Sequence, residues 1–306
     1  MIIKFGADNA GIIHGAARRG NDLLLEFTGS VFPDITITSL VKLIFGDLPG
    51  IEAVASKLKI SLCGVGRGAG HQKKPELRIE GLFKPETSSL LPVKCGIDIS
   101  AAYEDDFIII VDKPKGIKIH PDSPEDTDSL ANALQWYFHE KNDGRSVPRH
   151  IHRIDIGTSG LVIFAKDEIT QALLDRMMAE NRIDRKYIAE VEGRFRSTAG
   201  TINQPIARNR HVSNKYRVDE KGTEAITHYR VLSYDPKKNT SVLELTLETG
   251  RTHQIRVHMA HLKHPVAGDA LYGSKTGMGE NRFMLHSAYA AFIHPYTKKT
   301  VEVSSK

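Results

Sequence analysis

The sequence predicts a chain that mixes strands and helices, and three stretches carry that expectation. Phe107-Ile108-Ile109-Ile110-Val111 is a β-branched run that reads as a buried strand. Leu243, Leu245 and Leu247 alternate with Glu244, Thr246 and Glu248, the period-two pattern of a half-buried strand. Ile169, Ala172, Leu173 and Met177 recur at helical spacing, so residues 167–181 are expected to form an amphipathic helix. With 306 residues, 40% of them hydrophobic, the chain can fill the core of one large or two modest domains.

Taken in order, residues 1–98 are compositionally mixed. Leu23-Leu24-Leu25-Glu26-Phe27 reads as a strand, and Ser39–Phe45 and Ile51–Lys57 as short helices, the first capped by Ser39. Gly64 to Lys74 is glycine-rich and basic. It lacks both a following Gly-Lys-Ser/Thr and a strand-to-helix setting, so it reads as a flexible surface loop rather than a phosphate cradle. Pro85 to Pro92 reads as a linker. The texture changes at Ala101. Glu104-Asp105-Asp106 lead into the β-branched strand, and Asp112-Lys113-Pro114-Lys115-Gly116 turns the chain. The apolar run Leu161–Lys166 is another buried strand. In Arg185–Gly193, Tyr187, Ala189 and Val191 share one strand face. The alternating strand ends at Gly250, and Thr252–Leu262 reads as helical.

The formal net charge of +5 is mild; it suits a polyanionic partner without requiring one. Cys63 and Cys95 form neither a metal-ligand spacing nor a disulfide framework, which makes a reducing, cytoplasmic setting the expectation. No signal-peptide core opens the sequence, and no apolar run approaches membrane-spanning length, so no membrane partner is expected.

The chemistry is expected at His152-Arg153-Ile154-Asp155-Ile156-Gly157-Thr158-Ser159-Gly160. Asp155 lies between basic residues and a Thr-Ser-Gly turn that feeds a strand, and a carboxylate on a loop held by a rigid element is well placed to react. Three further stretches accompany it: Tyr103–Pro121, Arg185–Gly193 and Leu247–Gly273. The last contains Leu-Glu-Thr-Gly-Arg-Thr-His-Gln-Ile-Arg-Val-His, then His264-Pro265-Val266-Ala267-Gly268-Asp269 and Leu271-Tyr272-Gly273. In order, spacing and content these four stretches resemble the RluA family of RNA pseudouridine synthases, from near residue 101 to the end.

The resemblance implies an α+β catalytic domain built on a mixed, largely antiparallel sheet, spanning residues 99–306. Residues 1–98 then form a small N-terminal region; many members of the family carry an S4 RNA-binding domain there, no convincing one is present, and the region is read either as a diverged RNA-binding module or as another appendage. It implies an isomerase that converts uridine to pseudouridine in structured RNA, ribosomal or transfer, with no cofactor and no obligate protein partner. The family's catalytic aspartate falls on Asp155, acting on the ribose, on the uracil ring or beside a ribose-derived intermediate; its active-site arginine and tyrosine fall on Arg256 and Tyr187. A carboxylate that reacts near neutral pH must be charged, and an arginine favours that form through charge and bidentate hydrogen bonding. Arg153 is expected to fill the space left by a flipped base, and with Arg251 and His253 to contact RNA. His253, His258, His261 and His264 lack a zinc-type ligand arrangement, and no metal is expected. The chain departs from the family after the aspartate, where Ile156-Gly157 replace a basic and an acidic residue. The alternative is a non-catalytic RNA-binding or ribosome-assembly factor on the same scaffold, which would need none of Asp155, Tyr187 and Arg256.

Overall fold

A computed structural model describes residues 13–27, 45, 59–63, 76–83, 90, 92–276 and 282–305. Strands β1 (Ile13–Arg19), β2 (Asp22–Phe27), β3 (Lys59–Cys63) and β4 (Glu76–Glu80) form an antiparallel sheet in the order β1-β2-β4-β3. The expected strand at Leu23–Phe27 is the second of these. The β1–β2 turn places Gly20 at φ +67°, the left-handed region open to glycine. The helices expected over 39–45 and 51–57, the loop 64–74 and most of the linker 85–92 lie outside the described residues; Phe45 is described, helical and buried.

The remaining strands are β5 (Ala101–Glu104), β6 (Ile108–Lys113), β7 (Arg149–His150), β8 (Ser159–Ala165), β9 (Ile183–Glu192), β10 (Ala199–Asn203), β11 (Ile206–Arg208), β12 (Tyr216–Val218), β13 (Ile226–Asp235), β14 (Thr240–Leu247), β15 (Leu285–Ile293) and β16 (Thr300–Ser304). The main sheet runs β10-β13-β14-β9-β15-β8-β6-β5, with β16 on β15 and β7 on β8, while β11 and β12 form a separate hairpin. Every described pairing in it is antiparallel except β15 with β8, so the sheet is mixed and largely antiparallel, as the resemblance implied. Three helices of eight or more residues accompany it among the described residues: α1 (Leu130–Glu140), α2 (Glu168–Ala179) and α3 (Gln254–His261). None is long and apolar enough to cross a membrane.

The β-branched run on β6 is explained by burial on both faces. Ile108 and Ile110 join one hydrophobic cluster, Ile109 and Val111 another. The second cluster is covered by α1, which begins at Ser129, whose hydroxyl accepts from the Asn132 N–H. The first is covered by α2 and by the N-terminal sheet: Ile13, Leu23, Leu25, Phe45, Ile79, Leu82 and Phe83 pack with Phe107, Leu173, Leu174 and Tyr296. Phe83 meets Phe107 at 6.0 Å and Phe45 meets Tyr296 edge-on at 6.3 Å. The two sheets therefore share one core.

Three boundaries differ from expectation. Strand β6 continues through Lys113, so the turn falls later, with Gly116 at φ +87°. Helix α2 stops at Ala179 because Asn181 turns left-handed at φ +53°; on it Leu174 is fully buried and Ala172 is exposed. Helix α3 starts at Gln254, not Thr252, because His253 adopts φ +57°.

Candidate active site

The aspartate loop, residues 151–158, enters the sheet where β8 runs beside β15. The glycine of Thr-Ser-Gly makes that approach possible: Gly160 has φ +106°, and a Cβ there would stand 2.2 Å from the Ser287 carbonyl oxygen. The loop closes on itself through the Thr158 N–H, which donates to the Asp155 carbonyl at 3.0 Å. His152 anchors its start; it is buried, and its Nε2 accepts from the Ile163 N–H at 3.3 Å. Burial, with Arg185 and His150 nearby, pushes the His152 pKa well down, so the ring is neutral. The far side of the loop is held from β6. The Ile156 carbonyl accepts from the Gly116 N–H at 2.8 Å and from Lys113 Nζ at 3.2 Å.

Helix α3 brings the partner. Its entry turn is knitted by Gln254, whose Oε1 accepts from Thr249 Oγ1 and the Arg251 N–H and whose Nε2 donates to the Ile226 carbonyl and Thr227 Oγ1. Two residues on, Arg256 Nη1 donates to Asp155 Oδ2 at 3.0 Å. The bidentate fork expected between these two residues is made elsewhere: Arg256 Nε and Nη2 donate to Asp269 at 2.6 and 3.0 Å. The guanidinium also lies 4.9 Å from the Tyr272 ring centre and 4.3 Å from that of Phe283. Burial opposes the Arg256 charge, but Asp269 and Asp155 outweigh it and hold its pKa above the ordinary value.

His253 stands at the same opening. Its Nδ1 pairs with the Tyr272 hydroxyl at 2.9 Å, and its Nε2 lies 3.9 Å from Asp155 Oδ1. Burial lowers its pKa and Asp155 offsets this only in part. Burial also pushes the Tyr272 hydroxyl up to about 12, keeping it protonated and able to donate. Tyr187 lies in the cluster joined by Ile154, is 4% exposed, and accepts a long 3.4 Å contact from Arg185 Nη1. Arg153 is exposed; Arg251 is exposed, with Nε donating to the Glu224 carbonyl at 2.9 Å. Asp155, Arg256 and His253 are thus brought together, Tyr187 lies in the packed layer that Ile154 joins, and Arg153 and Arg251 face solvent. His258 is withdrawn from ligand duty, both ring nitrogens being engaged by Thr227 Oγ1 and the Gln204 carbonyl.

A family model described as RNA pseudouridylate synthase matches residues 107–261. An RNA pseudouridine synthase of Bacillus subtilis, YhcT, described as uncharacterized, is 39% identical over 75% of this chain and 74% of its own. The chain belongs to the RluA family of RNA pseudouridine synthases. This synthase is also 36% identical to the ribosomal large subunit pseudouridine synthase D of Zymomonas mobilis, over 69% of each chain. Among solved structures it is similar to human RNA pseudouridylate synthase domain containing 1, with a TM-score of 0.56 and 26% identity over 68% of this chain and 83% of that one.

Two groups at the centre of the synthase were not singled out by sequence. Asp269 lies in the fourth stretch, but only the fold shows that its carboxylate faces Arg256. Lys113 reads as a turn lysine, yet it is fully buried, with Nζ donating to the carbonyls of Pro114, Ile117 and Ile156. A buried strand running straight into Lys-Pro was the available signal.

Proposed function

We propose that Asp155 is the carboxylate that carries the uridine isomerisation in this enzyme, with ribosomal RNA as the substrate. The observation that carries the assignment is the asymmetry of its contacts. Oδ2 is held by Arg256 Nη1 at 3.0 Å, while among the described residues Oδ1 makes no hydrogen bond and the side chain is 23% exposed. One oxygen is fixed and charged; the other is open to a bound nucleotide. Breaking N1–C1′, turning the uracil and joining C5 to C1′ requires a group that attacks or stabilises an electron-poor centre, and an ionised carboxylate does either.

Tyr187 supplies a ring to stack on uracil and a hydroxyl for proton transfer. Arg153, exposed two residues before the aspartate, is suited to occupy the space that a uridine leaves when it quits the stack. His253, 3.9 Å from Asp155, and the exposed Arg251 two residues before it are assigned to RNA contact. Residues 99–306 form the catalytic unit in this reading and residues 1–98 an N-terminal addition. The choice of ribosomal RNA is supported by the 36% identity to a relative named for the large ribosomal subunit.

The test is to map pseudouridine in ribosomal and transfer RNA from cells with and without the gene, then to restore the gene as wild type or Asp155→Asn. Loss of one or more large-subunit positions is expected, restored by the wild type and not by a folded Asp155→Asn protein. Restoration by that variant overturns the role of Asp155, and loss confined to transfer RNA overturns the substrate.

A further inference from the structure

Arginine and carboxylate ordinarily meet as a two-point fork. Had Arg256 made its fork with Asp155, both oxygens of Asp155 would be engaged and neither would be open to a nucleotide. The fork goes to Asp269 instead, through Nε at 2.6 Å and Nη2 at 3.0 Å, and only Nη1 reaches Asp155. Asp269 is 1% exposed and Arg256 5%. The backbone on either side of Asp269 is pinned: its N–H donates to the Val266 carbonyl at 3.0 Å, and its carbonyl accepts from Tyr272 and Ser274 N–H groups at 3.1 and 3.0 Å. The Tyr272 and Phe283 rings lie against the guanidinium and restrict its rotation.

We infer that Asp269 is a positioning residue for the isomerisation, taking two of the three donor nitrogens of Arg256 so that Asp155 is held through Oδ2 alone and keeps Oδ1 for substrate. This rests on the reading of Asp155 as the reacting carboxylate. The other charged or titratable groups around Asp155 are His253 from the start of α3, Lys113 from β6 and Tyr272 from the turn after Asp269. None of them accepts a hydrogen bond from the two Arg256 nitrogens, which go to Asp269.

The experiment compares Asp269→Asn, Asp269→Glu and Asp155→Asn with wild type, using bulk RNA from cells lacking the gene as substrate. The readouts are kcat, KM and thermal melting. Asp269→Asn is expected to lower kcat on the order of 100-fold, with KM changed by less than about twofold. Asp269→Glu keeps the two acceptor oxygens but displaces them, and it should recover part of that kcat. A folded Asp269→Asn protein with wild-type kcat overturns the inference. So does a kcat loss that Asp269→Glu fails to relieve or that comes with an equal rise in KM, since that pattern marks a purely structural carboxylate. If Asp269→Asn does not fold, Asp269→Glu decides: lowered kcat at constant KM supports the inference, and unchanged kcat refutes it. An active Asp155→Asn protein would instead remove the reading on which the inference rests.

Discussion

One ammonium group underlies the aspartate loop. Lys113 Nζ gathers the carbonyls of Pro114, Ile117 and Ile156, so it ties the end of β6 to the residue after Asp155. Burial lowers its pKa from 10.5 to about 8, with Asp155 pulling the other way. Between those two values the unfolded chain holds a proton that the folded chain has released. This group therefore adds to stability as pH rises through about 8 to 10.5, and its burial cost is fully present below. The grip on the loop has the opposite sign, because a neutral amine has one donor fewer for three carbonyls. Activity is thus expected to fall as pH rises through about 8, while the Lys113 contribution to stability grows. Lys113→Met should lose that alkaline limb, and by stranding buried carbonyls it should cost about 2–4 kcal/mol in urea denaturation. An unchanged limb in Lys113→Met would assign it to another group. At this scale the sequence was legible where a motif concentrates chemistry, as at Asp155 and Arg256, and illegible where a role depends on convergence. A lysine inside Asp-Lys-Pro-Lys-Gly is ordinarily solvated, and nothing local reports that three carbonyls meet it.

Elements were legible where periodicity was strong. The alternation at 243–247 is β14, and Tyr187, Ala189 and Val191 line one buried face of β9. Helix α1 is marked locally by Ser129 and by the spacing of Leu130, Leu134 and Phe138, but it carries none of the four motifs and lies between two of them. The start of α3 is not legible in the sequence because His253 takes a left-handed conformation that non-glycine residues adopt infrequently. The Thr-Ser-Gly turn carries an element-level prediction. Gly160→Ala places a methyl 2.2 Å from the Ser287 carbonyl oxygen at φ +106°, so β8 and β15 must separate or the backbone must shift. A loss of about 3 kcal/mol or more is expected by chemical denaturation, together with loss of activity. A variant that melts like wild type would show that the two strands have slack.

For the whole molecule, the expected boundary near residue 98 coincides with a change of sheet but not with a break in the core. Leu23, Leu25, Phe45, Leu82 and Phe83 cover Phe107, Ile108, Ile110 and Tyr296. The Arg18 guanidinium lies 4.7 Å from the Phe83 ring centre, and the Arg18 N–H donates to Asp106 at 2.9 Å. A chain beginning at Ser100 bares that apolar face, and a markedly lower melting temperature and binding of a hydrophobic dye are expected. Wild-type melting in the shortened protein would show that the catalytic sheet is self-sufficient. Sequence could not reveal the shared core, because which strand faces meet is set by tertiary packing and not by local pattern. Strand β15 has a comparable reach. In the sheet order it alone joins β9 to β8, and so joins the half whose strands carry α3 and Arg256 to the half that carries Asp155. Asp155 and Arg256 lie on opposite sides of β15 in that order, so their contact closes a long loop of chain and is a late, non-local event in folding, completed once β15 has paired with both β8 and β9.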